Sequence, residues 1–158
     1  MHTVYKTHQI VIALSLGIVL LSSPAWAWFT DLGYGTVPAR AEFTDLGNGT
    51  VLDTQTDLIW QQGDDQNQNG GRTWDQAQDY CQALVLDGHT DWRLPDKDEL
   101  AGLVNTQRVD PAIDPVFDAQ SAGYWTGSDL IHNSKSAWVT LFSYGALTAQ
   151  DKETYQPV

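Results

Sequence analysis

Residues 65–70, DQNQNG, place oxygen-bearing side chains at alternate positions and end on a glycine. This spacing matches the first half of an EF-hand calcium loop, in which alternate oxygens surround a hard cation and the glycine lets the chain turn. The twelfth position, however, is Gln76 instead of a bidentate glutamate, and no helical pattern precedes the loop. A solvated polar loop is the favoured interpretation, with calcium at Asp65, Asn67 and Asn69 as the alternative; no other cofactor is indicated.

Residues that could support catalysis are few and poorly placed. His89 and His132 are the only histidines after residue 27, and neither lies at metal-ligand spacing from another histidine or from the single cysteine. Cys81 has no basic neighbour in sequence that would lower its pKa, so a buried free thiol packing as a small apolar side chain is the default interpretation. The sequence therefore predicts no catalytic residues and a protein that is not an enzyme.

Aromatic side chains favour a binding function. Most tryptophans lie in blocks with apolar partners and are predicted to pack in the core: Trp60, Trp74, Trp92, Trp125 and Trp138. Tyr124, His132 and Tyr144 flank predicted loops and are expected to be exposed. Because an exposed aromatic face can stack on a sugar ring, these three are the predicted ligand-binding residues.

The N-terminus has the pattern of a secretory signal peptide. Lys6 precedes an apolar run at residues 10–21, and Ala25 and Ala27 give a small-x-small ending. The run is too short for a membrane-spanning helix, which needs about 20 apolar residues. Residues 1–27 are therefore predicted to be removed, and the protein is expected to be secreted, periplasmic or on the cell surface, without a membrane span.

The charge balance limits the choice of partners. Eight Lys and Arg residues against 20 Asp and Glu residues give a formal net charge of -12. A surface this acidic repels nucleic acid, anionic membranes and highly sulfated sugars. Neutral glycans, cationic partners and calcium remain compatible with it.

Two capping-box patterns predict the two helices. Each pattern places a capping side chain three residues before a side chain that can reach back to the backbone N–H of the capping residue. The two pairs are Thr73 with Gln76 and Asp96 with Glu99. The first helix should present an apolar side made of Trp74, Ala77, Tyr80, Cys81 and Leu84. The second should start at about Asp96, end near Asn105 and pack through Leu100, Leu103 and Val104.

Arg93 stands just before the second helix among four acidic residues: Asp91, Asp96, Asp98 and Glu99. A guanidinium fork suits a partly buried carboxylate or carbonyl, so Arg93 is predicted to be an internal tether and not a ligand site. Trp92 and Leu94 beside it are predicted to anchor the junction between helix and sheet.

Strand patterns surround the helices. The motif FTDLGYGTV at residues 29–37 recurs as FTDLGNGTV at residues 43–51. The second copy is interpreted as a β-hairpin leading into strands at residues 51–52 and 58–60, and the first as an extra hairpin or an unordered duplicate with residues 38–42 as linker. Further strands are expected at residues 124–126, 137–142 and 146–149, with a turn at residues 143–145. The order hairpin, helix, helix, strands predicts an α+β fold with an antiparallel sheet.

The succession FTDLGNGTVLD, LIWQQ, TWDQAQDYCQAL, GHTDWRLPDKDEL, DPAIDPVF, YWTGS and SAWVTLFSYGAL resembles the Lcl C-terminal domain family. The resemblance implies a C-type-lectin-like fold, two helices on a small antiparallel sheet with long loops, in secreted or surface proteins of bacteria with a role in glycan adhesion. It marks Trp92, Arg93, Leu94, Pro95 and Glu99 as a fold signature. The expected divisions are residues 1–27 as signal peptide, 28–42 as N-terminal extension and 43–158 as the domain.

Two departures from the family pattern affect the interpretation. Relatives continue into Arg-Cys-Val, whose cysteine resembles a partner for Cys81, so the domain is expected to be short of its last strand and less stable by on the order of 4 kcal/mol. The acidic surface lacks the basic residues that sulfated glycans require. The sequence as a whole predicts a non-catalytic binding or adhesion module that recognises carbohydrate. The alternative is a structural or assembly domain that contacts another protein, such as one at the cell surface.

Overall fold

The computed structural model describes residues 4–6, 42–64 and 71–157, of which only the backbone is described for 4–6. Nine elements lie in these ranges: β1 Val4–Lys6, β2 Phe43–Asp45, β3 Thr50–Asp53, β4 Leu58–Gln61, α1 Trp74–Ala83, α2 Lys97–Gly102, β5 Gly123–Leu130, β6 Asn133–Leu141 and β7 Ala146–Asp151. The rest of the predicted signal peptide, the first repeat copy and the predicted calcium loop lie outside the described residues.

The first sheet has the order β1-β4-β3-β2 and is antiparallel throughout. Its β2–β3 hairpin confirms the prediction for the second repeat copy, since Leu46 N donates to Thr50 O at 3.0 Å. Gly47 and Gly49 adopt φ of 81° and 78°, the left-handed conformation that glycine adopts without a steric penalty. The outer strand β1 comes from the predicted signal peptide, so cleavage after Ala27 would remove it from the sheet.

Both helices begin as their capping boxes predicted. Thr73 Oγ1 accepts from Gln76 N at 3.4 Å, and the Gln76 side chain accepts from Thr73 N at 3.1 Å. Asp96 Oδ1 accepts from Asp98 N and Glu99 N at 2.9 and 2.8 Å. These contacts satisfy backbone donors that have no partner within the first helical turn.

The second helix is shorter than predicted. It ends at Gly102 instead of near Asn105. Beyond it, Val104 forms a bridge with Ile113, and Asn105 N donates to Ala112 O at 2.9 Å. The chain therefore leaves the helix to pair with a later segment, a tertiary contact that the helical spacing of the sequence does not encode.

The second sheet is antiparallel with the order β5-β6-β7. Its first two strands extend well past the predicted residues 124–126 and 137–142, and they meet in a turn at Ile131 and His132. The added parts are largely exposed and polar, so they lack the alternation by which a half-buried strand is predicted. Both helices pack against this sheet.

The core combines residues from both sheets and both helices. Its largest fully buried side chains are Trp60, Trp125, Tyr124, Phe142, Leu100, Ile113, Val51 and Val139. Trp60, Trp92 and Trp125 are buried as predicted, whereas Trp74 and Trp138 are half-buried. The α+β class is confirmed, but the predicted single sheet is two separate sheets among the described residues. In this part of the chain, neither helix has the length and apolar character that crossing a bilayer requires.

Candidate functional site

Arg93 is held by the helix that it precedes. Its Nη1 and Nη2 donate to the two carboxylate oxygens of Glu99 at 2.8 and 2.7 Å, and Nη1 also donates to Leu94 O at 3.1 Å. The hydrogen bond to Glu99 is the main reason why the pKa of Arg93 is raised. This bidentate geometry is the internal tether predicted from the sequence.

The rest of the fold signature joins the second helix to β5. Trp92, Leu94 and Pro95 are buried, and Trp92 Nε1 donates to His89 O at 3.2 Å. Gly127 N donates to Pro95 O at 2.8 Å, and Lys97 N donates to Ser128 Oγ at 3.1 Å. These residues therefore connect secondary-structure elements, and their main contacts are internal.

The exposure expected for Tyr124 is wrong. Its ring is fully buried and lies 5.4 Å from the Phe142 ring, centroid to centroid. The hydroxyl lies 2.9 Å from each carboxylate oxygen of Asp64 and accepts from Gln120 N at 2.8 Å. Burial, and then the negative charge of Asp64, raise the pKa of Tyr124. A ring without exposed surface has no face on which a sugar could stack.

His132 and Tyr144 are exposed as expected, but they lie at opposite ends of the second sheet. His132 occupies the β5–β6 turn with a φ of 74°, and Tyr144, 65% exposed, occupies the β6–β7 turn. The nine residues of Asn133–Leu141 separate the two turns, a distance of roughly 30 Å along one strand. The structure therefore does not bring the three predicted ligand-binding residues into one site, and binding by either exposed residue stays a prediction.

Cys81 is enclosed by the core. The side chain is 1% exposed, and burial raises the pKa of its thiol to about 12. A thiol with this pKa is almost entirely protonated at neutral pH, so it is a poor nucleophile. The position matches the interpretation of Cys81 as a small apolar core residue.

The predicted calcium ligands Asp65, Asn67 and Asn69 lie outside the described residues. Within residues 42–64 and 71–157, no group of three or more His, Cys, Asp or Glu side chains is arranged to hold a metal ion. The calcium interpretation of residues 65–70 thus stays a prediction.

An open cleft between the start of the first helix and the C-terminal segment was not predicted from the sequence. This cleft, here called the Arg72 cleft, is lined by Gly71, Arg72, Gln76, Asp79, Tyr80 and Tyr155. The guanidinium carbon of Arg72 lies 4.7 Å from the centroid of the Tyr80 ring, within the range of a cation–π contact. Tyr155 is 61% exposed, and Gln76 and Asp79 are exposed as well.

Helical spacing places three of these side chains together. Gln76, Asp79 and Tyr80 stand at positions i, i+3 and i+4 of the first helix, which share one face. Tyr80 also bonds Gln61 of β4, with Gln61 Nε2 donating to its hydroxyl at 3.1 Å. The amide of Gln61 thus fixes the ring under Arg72.

The C-terminal segment closes the other side of the cleft. Arg72 and Gln156 exchange two backbone hydrogen bonds, at 2.7 and 3.0 Å. Trp74 N donates to Lys152 O at 3.0 Å, and Lys152 Nζ lies 3.7 Å from the centroid of the Trp74 ring. These contacts fix residues 152–156 beside the start of the helix and present Tyr155 at the rim.

This set of side chains suits a neutral polyhydroxy ligand. An exposed aromatic ring offers a flat apolar face, while the guanidinium, carboxylate and amide groups offer donors and acceptors for hydroxyl groups. One positive and one negative side chain leave the cleft without the strong positive potential that an anionic ligand would need. The helical triad could have been found from sequence spacing, but Tyr155 could not, because it is 75 residues away from Tyr80.

Comparison with known protein families identifies the family of most of the chain. A family model described as the Lcl C-terminal domain matches residues 49–158, well over half of the chain. No curated protein and no solved structure matches the chain significantly. The matched region contains both helices, the fold signature and all six residues of the Arg72 cleft.

Proposed function

The chain belongs to the Lcl C-terminal domain family, and from that premise we propose that it is an exported, non-catalytic adhesion module that binds neutral carbohydrate. The family indicates a domain of the surface or adhesion type. The Arg72 cleft is the observation that carries the sugar-binding part of the proposal. It combines an exposed aromatic ring with polar groups that match hydroxyls.

The charge of the chain supports neutral glycans over sulfated ones. The net charge of -12 opposes the approach of a polyanion. Arg72 is the only basic residue that lines the cleft, and the acidic Asp79 lines it as well. Hydrogen bonds to sugar hydroxyls do not require a net positive surface, so affinity for a neutral glycan does not conflict with the overall charge.

A C-type-lectin-like fold is part of the proposal. Two short helices packed on antiparallel sheets, with long connections between them, are compatible with that architecture. The long connections leave loops on the surface, where binding residues are commonly found. Asp65, Asn67 and Asn69 precede Gly71 in the sequence, and calcium binding by these three residues stays a prediction.

The proposed role is binding without turnover. The one thiol is buried with a raised pKa, and the Arg93 guanidinium is engaged by Glu99. His89 lies near Trp92, with a ring separation of 6.2 Å. These contacts support structural roles for the residues that a catalytic mechanism would most readily use.

A glycan array covering neutral and acidic sugars tests the proposal, followed by calorimetry with the strongest neutral ligand. Tyr155→Ala removes the exposed aromatic face and should weaken binding about fivefold, since an aromatic contact contributes about 1 kcal/mol. Val85→Ala is the control, because Val85 has a similar exposure of 69% and does not line the cleft. Equal losses in both variants, or no neutral ligand on the array, would contradict the proposal.

Contact with another protein is the second candidate function. Exposed apolar residues stand on the surface away from the cleft, including Ile131 at 78% and Val109 at 75% exposure. Large apolar residues at turn tips can anchor a protein interface. Two results together would favour this function: no glycan binds on the array, and one protein partner is retained in a pull-down. The Ile131→Ser variant should then fail to retain that partner.

A further inference from the structure

A contact between two turns joins the first sheet to the loop that follows the first helix. Asn48 and Gly49 lie in the exposed turn between β2 and β3. Asn48 Nδ2 donates to Asp87 Oδ1 at 3.0 Å, although the two residues are 39 positions apart in the chain. Asp87 belongs to a second turn, which two backbone hydrogen bonds between Leu86 and His89 close at 3.2 and 3.0 Å. The Asn48 amide is therefore a polar link between the two turns.

The order asparagine then glycine favours attack of the backbone on the asparagine side chain. Glycine has no Cβ to hinder the approach of its own backbone nitrogen to the Cγ of the preceding asparagine. Among the described residues, Gly49 N donates no backbone hydrogen bond, so no partner in that part of the chain holds its proton. Asn48 and Gly49 are both exposed, so water and hydroxide reach them. The turn thus presents the nucleophile, the electrophile and the solvent together.

We propose that Asn48 is a site of deamidation through attack by Gly49 N. Gly49 N gives up its proton to hydroxide and forms a bond to Asn48 Cγ. The bond between Cγ and Nδ2 then breaks, and the nitrogen takes up a proton and leaves as ammonia, which closes a five-membered succinimide. Water, the only co-reactant, adds to either ring carbonyl and opens the ring to aspartate or isoaspartate. The net reaction is the hydrolysis of one amide, with no oxidation or reduction.

Two other asparagines of the described residues lack this combination. Asn105 and Asn133 are followed by threonine and serine, whose side chains hinder the attacking nitrogen. Their side-chain carbonyl oxygens are also held by the backbone, since Asn105 Oδ1 accepts from Gln107 N and Asn133 Oδ1 accepts from Lys135 N, each at 3.1 Å. Asn105 and Asn133 therefore serve as internal controls.

Deamidation would turn the contact with Asp87 from attraction into repulsion. An aspartate at position 48 has no side-chain N–H to donate, and its carboxylate would face the Asp87 carboxylate across the present hydrogen bond. Like charges this close repel each other. The isoaspartate product in addition lengthens the backbone of the turn by one carbon, which disturbs the hydrogen bond from Leu46 N to Thr50 O. Either product should release the β2–β3 turn from the turn at residues 86–89.

Peptide mapping by mass spectrometry, during incubation of the purified full chain at neutral pH, tests the modification without any substitution. The peptide that contains Asn48 should gain the mass that corresponds to replacement of NH by O, while the peptides with Asn105 and Asn133 stay unchanged. Asn69 is also followed by glycine, so the change has to be assigned by peptide and not by intact mass. Asn48→Gln keeps the amide but would require a six-membered ring, and this variant should stay unmodified. Conversion of Asn48 that is undetectable, or no faster than that of Asn105 and Asn133, overturns the proposal.

Urea unfolding of freshly purified variants tests the effect on the contact. Asn48→Asp copies the aspartate product and should raise the equilibrium constant for unfolding about fivefold relative to Asn48→Gln, because a hydrogen bond is replaced by repulsion. Combining Asn48→Asp with Asp87→Asn exchanges the donor and the acceptor, and the constant should return to within about twofold of its original value. Fresh protein is needed because Asp87→Asn creates another asparagine before a glycine. A double variant that is no more stable than Asn48→Asp alone would overturn the role of Asp87.

Discussion

Gly71 is the residue whose conformation most directly sets the shape of the Arg72 cleft. Its φ is +80°, and a Cβ added there would stand 2.2 Å from Gln156 O. Any side chain would therefore strain the backbone and also push away the segment that carries Tyr155. The close approach of these two backbones depends on the absence of a Cβ.

Gly71→Ala should destabilise the protein by about 3 kcal/mol and weaken binding of a neutral glycan, because it adds a steric clash to an unfavourable φ. Gly88→Ala separates the two effects. Gly88 has a similar φ of +78°, but nothing lies within 4 Å of an added Cβ. The free energy of unfolding of the Gly88→Ala variant should therefore fall by only about 1 kcal/mol. Urea unfolding measures both changes, and equal losses would show that the contact with Gln156 has no energetic weight.

Burial of Cys81 predicts a loss of stability at alkaline pH. The folded protein holds the thiol proton up to a pKa of about 12, whereas the unfolded chain releases it near 9.0. The folded state therefore binds more protons between these values, and the free energy of unfolding falls as the pH rises from 9 to 12. Between pH 9 and 10 the loss from this group should be about 1 kcal/mol.

Cys81→Ala is the variant that isolates this effect, since other groups also titrate in the alkaline range. The difference in unfolding free energy between the two proteins should be constant from pH 6 to 8 and should shrink above pH 9. Chemical denaturation at each pH gives the comparison. A difference independent of pH up to 10.5 would show that the thiol is accessible to water in the folded state.

At the scale of the elements, local sequence patterns predicted the starts of the helices and the hairpin turn. They did not predict contacts between residues that are far apart in the sequence. The caps at Thr73 and Asp96, and the glycine turn of the second repeat copy, depend on residues within four positions, and the structure confirms all three. The early end of the second helix depends on Ala112, and the burial of Tyr124 depends on Asp64, 60 residues earlier. Spacing along the chain contains no signal for such contacts.

The two caps differ in strength, which gives a prediction at the element scale. Asp96 is charged and accepts two backbone hydrogen bonds below 3.0 Å, whereas Thr73 accepts one at 3.4 Å. Asp96→Ala should therefore cost about 2 kcal/mol and Thr73→Ala about 0.5 kcal/mol. Denaturant unfolding measures the loss of stability in each variant. A larger loss for Thr73→Ala would mean that neighbouring acidic residues replace the missing Asp96 carboxylate.

At the scale of the whole molecule, charge and site chemistry have to be compatible. The net charge of -12 creates a repulsive field for polyanions, which is screened beyond about 10 Å at 0.1 M salt. The Arg72 cleft instead offers short-range contacts between uncharged ligand groups and fixed side chains. The response of binding to salt therefore distinguishes a neutral ligand from a charged one.

Binding of a neutral oligosaccharide should change less than twofold between 20 and 500 mM salt, because no counterions are released and no long-range attraction is screened. A sulfated glycosaminoglycan should not bind at either salt concentration. Calorimetry with both ligands provides the measurement, and Arg72→Gln provides the control. That variant loses a hydrogen-bonding fork and should weaken the neutral ligand at both concentrations by the same factor. Strong binding of the sulfated ligand that disappears with salt would instead place recognition on a basic surface formed by other residues.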